Sequence, residues 1–152
     1  MNYKGKYKVV NRAKYKGDAD NVIFRSMWEK YCFRWLDENP AIKEWSSEEV
    51  VVPYYYDIDK QYHRYFVDIK YTTMEGKTFL VEIKPKKQTQ APTGKRKTKQ
   101  YISESLTYVK NQCKWAAAIK YAQERNWQFV IWTEDTLLQL GIMPKAMGKP
   151  HK

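Results

Sequence analysis

The order of periodicities along this chain predicts an α/β layered domain built on one sheet. Three observations carry that reading. A helical apolar repeat at 26–39 comes before several β-rich runs between 50 and 84. A second, longer helical stretch follows at 103–125. A short apolar strand at 127–132 and a capped helix then close the series. At 152 residues and 43% hydrophobic content, one domain with a sizeable core is the simplest organisation.

Each element has its own warrant. Residues 1–22 read as a basic, tyrosine-studded arm: Lys4, Lys6, Lys8, Arg12, Lys14 and Lys16 precede the first acid, Asp18. Such an arm lies on phosphates or on another protein, or is a solvated terminus. Ser26 and Glu29 then have the spacing of a capping box. Trp28, Tyr31, Cys32, Trp35 and Leu36 make one apolar helix face, and Asn39-Pro40 ends it. Val50 to Val52 begin a strand, with Pro53 at its end or on an edge. Asp57 to Lys60 is a turn. Residues 62–72 and 78–84 read as a hairpin closed at Met74-Glu75-Gly76-Lys77, and Pro85 stops its second strand. The segment 84–100 is a basic loop carrying Lys84, Lys86, Lys87, Lys95, Arg96, Lys97 and Lys99 with no acid. Leu106, Val109, Cys113, Ala116 and Ala117 give the long helix an apolar stripe. Thr133 caps a short helix that has Glu134 and Asp135 in its first turn and ends at Gly141. The domain thus spans 23–141, and 142–152 is a flexible tail.

Charge narrows the partners. The net charge of +11 points to a polyanion, against the alternative of a solubilising surface. No apolar run approaches the ~20 residues of a membrane span. The opening MNYKGKYKVV lacks the apolar stretch of a signal peptide. Cys32 and Cys113 have no metal-ligand spacing and read as reduced core thiols. Two histidines and two cysteines do not make a convincing zinc site.

Three charges interrupt the hairpin. Glu82 and Lys84 share one strand face, and Phe79, Val81 and Ile83 share the other. Asp68 lies on the face of Arg64, Phe66 and Lys70. Folding at Gly76 brings Asp68 beside Glu82, and two carboxylates so close repel unless a cation sits between them. An oxygen-rich pair of this kind suits Mg²⁺, with Lys84 orienting a water or neutralising a phosphate. The competing reading is an ordinary salt-bridge ladder on a solvated face.

The spacing D-x(13)-E-x-K, formed by Asp68, Glu82 and Lys84 downstream of a helix, resembles the PD-(D/E)XK nuclease superfamily. The proline that usually precedes the aspartate is replaced by Val67. A closer resemblance runs over nearly the whole chain. The blocks RSMWEKYCFRWLDENP (25–40), EWSSEEVVVPYY (44–55), HRYFVDI (63–69), VEIKPKKQTQ (81–90) and WTEDTLLQLG (132–141) look like the head-completion nucleases of large tailed phages. More loosely, they resemble the end-cleaving endonuclease subunit of some bacterial transposons.

That resemblance implies a restriction-endonuclease-like core: one central mixed β-sheet flanked by helices. It implies a metal-dependent DNA endo- or exonuclease that uses Mg²⁺ or Mn²⁺. By position, Asp68 and Glu82 correspond to the metal-binding carboxylates and Lys84 to the catalytic lysine. Glu29 corresponds to the glutamate of the first helix, in rivalry with its capping role. Glu49 either joins the metal site or is exposed. Arg64, Gln88, Lys86, Lys87, Lys95, Arg96, Lys97 and Lys99 are candidates for holding double-stranded DNA. His63 is either a proton-transfer group or, more in keeping with a lone strand histidine, a packed polar residue. The implied role is trimming packaged DNA so that head and tail can join. Portal or neck proteins are the implied partners, and the setting is the host cytoplasm during assembly, or the virion. The alternatives are a non-catalytic head or neck protein that grips DNA, and a transposase endonuclease subunit.

Overall fold

A computed structural model describes residues 4–95 and 98–145. Its elements are β1 (Gly5–Lys6), β2 (Ile23–Phe24), α1 (Met27–Glu38), β3 (Ile42–Ser47), β4 (Val51–Tyr56), β5 (Gln61–Phe66), β6 (Ile69–Thr73), β7 (Thr78–Ile83), α2 (Lys99–Gln123), β8 (Gln128–Trp132) and α3 (Glu134–Gln139). The central sheet has the order β3-β6-β7-β8. Its first two pairings are antiparallel and β7-β8 is parallel. The sheet is therefore mixed, as expected. Parallel neighbours need a crossover, and α2 supplies it.

Two apolar clusters cover the sheet. On one face Ile69, Tyr71, Val81 and Trp132 pack with Cys32, Phe33 and Leu36 of α1 and with Trp45. On the other, Leu80 packs with Trp115, Ala118 and Ala122 of α2 and with Val52, Tyr54 and Tyr65 of the β4-β5 hairpin. Strand alternation sorts β7 between these layers. Val81 faces the first, while Leu80 and Glu82 face the second.

Several elements differ from the sequence expectation. The run 62–72 is two strands: β5 pairs with β4, whereas β6 pairs with β3 and β7. The chain changes sheets at Val67-Asp68. Strand β4 runs on through Pro53, which takes the edge position, one of the two expected: it sits opposite Arg64 in a two-stranded ribbon, where the missing N–H costs no central ladder bond. Strand β3 has no counterpart among the expected elements. Its polar residues mislead, because Ser46 and Ser47 are buried beside Trp45. Helix α2 begins at Lys99, and its buried stripe is Asn111, Trp115, Ala118 and Ala122. Leu106 and Val109 of the expected stripe are exposed.

The expected arm is folded onto the domain from residue 4 onward. Val9 and Tyr15 lie in the core. Lys14 donates to the carbonyls of Leu36, Asp37 and Asn39 at 2.8–2.9 Å, which satisfies the C-terminal carbonyls of α1 with a cation. At the other end, Ile142 and Met143 are buried in the same core, so the expected tail begins as packed chain.

Candidate active site

The β6-β7 hairpin sets the geometry. Gly76 adopts a φ of 90°, a conformation open to glycine, and donates its N–H to the Thr73 carbonyl at 2.9 Å. That turn fixes the register Ile69↔Val81. One step further along, Asp68 lies across from Glu82, as the sequence predicted. Asp68 Oδ2 accepts from the Ile83 N–H at 2.8 Å, so its position is held by the backbone of the neighbouring strand.

Glu82 is buried, with Lys84 Nζ 3.4 Å from its Oε2. Its Oε1 accepts the Tyr65 hydroxyl from the β4-β5 hairpin. Glu29 enters from the first turn of α1. The Ser26 hydroxyl accepts from the Glu29 N–H at 3.2 Å, and the Glu29 carboxylate accepts from the Arg25 N–H at 2.9 Å. The capping role and the site role thus coexist, with the return bond shifted one residue upstream of the cap.

The electrostatics show strain. Burial, and next the charge of Glu82, raise the Asp68 carboxyl well above its ordinary value. Burial also raises Glu29, with Glu48 and Glu82 adding to the shift. The Tyr65 hydroxyl is pushed up by burial and by the Glu82 charge. Three acids share one neighbourhood with one direct lysine partner. Such a cluster favours an added cation. Among the described residues, no three His, Cys, Asp or Glu side chains are gathered tightly enough to form a ready-made metal cage. The donor set is instead an adjacent carboxylate pair.

The other candidates lie at varied distances from this centre. Arg64 stands over the Phe66 ring at 5.6 Å on the exposed side of the hairpin. His63 pairs with Asp59 at 2.6 Å and stacks on Tyr54, the packed polar role. Glu49 is exposed and turns to Tyr15, away from the acids. Its neighbour Glu48 takes the inward place: it pairs with Arg25 at 3.0 Å and donates its N–H to the Asp68 carbonyl. Lys86 is tied to α3, its N–H to Glu134 and its ammonium 3.3 Å from Asp135. Lys87, Gln88, Lys95 and Lys99 are exposed. Arg96 and Lys97 lie outside the described residues.

Sequence reasoning missed Tyr65, Glu48 and Lys114. Lys114 is half-buried and stands 5.6 Å from the Tyr65 ring centroid. Tyr65 had a faint signal in its alternation with Val67. Lys114 had none beyond being the charge beside Trp115 in the run CKWAAAI.

A mixed sheet with an acid pair and a lysine at the end of its central hairpin defines a restriction-endonuclease-like nuclease core. The family described as TnsA-like endonuclease N terminal matches residues 39–134. The head completion nuclease of Enterobacteria phage T4 is 42% identical over 146 residues, covering 93% of this chain and 97% of that protein. No solved structure gives a significant match. The chain belongs to the TnsA-like endonuclease family and is a nuclease related to phage head completion nuclease.

Proposed function

We propose that this protein is a divalent-metal-dependent deoxyribonuclease that trims double-stranded DNA during phage head completion, so that the tail can join. The observation that carries the catalytic reading is the juxtaposition of Asp68 and Glu82 at the hairpin end, with Lys84 beside them. The donor chemistry fits Mg²⁺ or Mn²⁺. Both acids offer hard oxygen ligands, and a two-carboxylate site leaves the remaining positions to water and phosphate. The ion, when bound, would polarise a phosphate oxygen and acidify a water.

The chain's own groups do the rest. The Ile83 N–H aims Asp68, and Tyr65 fixes one oxygen of Glu82. Lys84 neutralises charge building on the phosphate and orients the attacking water. Glu29, kept more basic than an ordinary carboxylate, orders waters or the ion from the α1 side. Exposed Lys87, Gln88, Lys95 and Lys99 meet the DNA backbone, together with Arg64. These contacts place the duplex but carry no sequence information.

Head completion is supported by the T4 relative, which is matched over nearly its whole length. A portal or neck protein is the partner this role requires, and the host cytoplasm during assembly is its setting. No helix among the described residues is long and apolar enough to cross a membrane. The test is cleavage of linear duplex by the pure protein. Cleavage with Mg²⁺ or Mn²⁺ that is lost in Lys84→Ala and in excess EDTA supports the proposal. Undiminished cleavage in EDTA contradicts it.

A further inference from the structure

The long helix carries basic groups that the acidic centre does not explain. Positions 99, 103, 106, 110 and 114 fall on one stripe of α2, at helical steps of three and four. Lys99, Lys110 and Lys114 are its charged members. At 1.5 Å per residue the stripe runs ~22 Å from Lys99 to Lys114. Its upper part borders an open groove of about 420 Å³ shared with Tyr56 of β4. Its lower end reaches the acids: Lys114 stands over Tyr65, and the hydroxyl of Tyr65 is donated to Glu82.

These lysines are placed expensively. Lys110 and Lys114 are both half-buried. Lys110 Nζ lies 5.4 Å from the Tyr56 ring centroid and Lys114 Nζ 5.6 Å from that of Tyr65. Among the described residues, none of the three forms an ion pair, whereas Lys16, Arg25, Lys84 and Lys86 each do. Burial lowers the Lys114 ammonium, Glu82 opposes that shift, and the Lys84 and Lys110 charges add to it. Lys114 thus feels the Glu82 carboxylate and two like charges, those of Lys84 and Lys110. Aromatic faces offset part of the desolvation. A solvated helix face would turn such charges outward.

We propose that the α2 stripe of Lys99, Lys110 and Lys114 is a phosphate track that leads one strand of the DNA backbone to the acidic centre, with Lys114 holding the phosphate nearest Glu82. This rests on the DNA-cleavage reading above and adds its substrate path. The track lies on the hairpin side of the sheet, so the strand runs along the outer edge of α2, in the groove that α2 shares with Tyr56 of β4. Double-stranded DNA is favoured over an acidic protein because the stripe ends at the hydrolytic groups.

The experiment is anisotropy titration of a labelled 30-base-pair duplex at several salt concentrations, with Ca²⁺ replacing the catalytic ion. Lys110→Gln/Lys114→Gln should bind more weakly on every sequence. The slope of log K against log salt should fall by ~1.8 units, or ~0.9 for each lost phosphate contact. Lys110→Arg/Lys114→Arg should keep the wild-type slope. Melting temperature controls for folding, and Lys99→Gln/Lys110→Gln replaces the first pair if that pair melts early. An unchanged slope and affinity in the glutamine variants overturns the track and leaves the lysines to an acidic protein partner. Failure of the wild type to cleave duplex with Mg²⁺ or Mn²⁺ is a separate result. It overturns the nuclease reading, while the salt slope still decides the track.

Discussion

Asp37 is fully buried in this fold and Asp68 half-buried, and they differ in how they are satisfied. Asp37 is fully buried at the end of α1. Its carboxylate accepts from the Tyr7 hydroxyl at 3.0 Å and from the N–H groups of Val10 and Asn11 at 2.8 and 3.1 Å. Asp68 has one N–H, a second carboxylate opposite and a third nearby. A buried carboxylate with its hydrogen bonds complete is structure. It ties the N-terminal segment to the first helix. A carboxylate enclosed against like charges is held in place by the rest of the fold, and it is short of a cation. That shortage is the physical mark of the candidate site.

The sharpest way to break this comparison is to remove each acid. Asp68→Ala and Glu82→Ala should each lower duplex cleavage by at least ~100-fold, with the melting temperature of Asp68→Ala held or raised because a repulsion is removed. Asp37→Ala should do the reverse. Its loss strands three donors and should cost about 3 kcal/mol or more, read by chemical denaturation. Normal cleavage by both site variants would end the assignment. A stable Asp37→Ala protein would end the structural half of the comparison.

A divalent ion should then separate the two acids. At about 100 times its dissociation constant it should stabilise the wild type by ~2.7 kcal/mol, seen as a rise in melting temperature that EDTA reverses. Asp68→Asn should lose that rise. Lys14→Met, which acts only at the α1 terminus, should keep it.

The pH response follows from the raised Asp68 and Glu29 carboxyls. The folded state holds their protons to higher pH than the unfolded chain does. Their contribution therefore favours folding at low pH and declines as pH rises from the ordinary carboxylate range through the folded-state values. Melting of the metal-free protein should show that decline, and Asp68→Asn should flatten it. An Asp68→Asn protein with the full wild-type decline would locate the raised groups elsewhere. The smallest effect expected is that of Lys14→Met, ~1–2 kcal/mol from the lost contact with the α1 carbonyls.

Much of the site was legible because it depends on local geometry. A glycine turn and a period of two fix which residues face each other, so Asp68, Glu82 and Lys84 came together from spacing alone. The capping serine and the short final helix were legible for the same reason. The misreadings share a different cause. The break at Val67-Asp68 has no glycine or proline, because the chain changes partners there without turning sharply. Strand β3 hides Trp45 among Lys43, Glu44, Ser46 and Ser47, and only Tyr15 and the neighbouring strand make those serines interior. The N-terminal segment looks like an arm because its lysines outnumber its anchors. Yet Tyr7, Val9 and Tyr15 find partners that lie 30 or so residues away. Glu48 and Glu49 are adjacent, and only the fold shows which one turns inward. Lys114 belongs to the same class, since its neighbour Tyr65 is far off in sequence.

Calorimetric titration with Mn²⁺ tests directly whether Asp68 and Glu82 together form a divalent-cation site. The titration is run on the protein bound to a phosphorothioate duplex that it cannot cut. The wild type should bind the ion, and Asp68→Asn and Glu82→Gln should each lose that binding while melting as cooperatively as the wild type. Equal Mn²⁺ binding by all three proteins, or none by the wild type, would contradict the account.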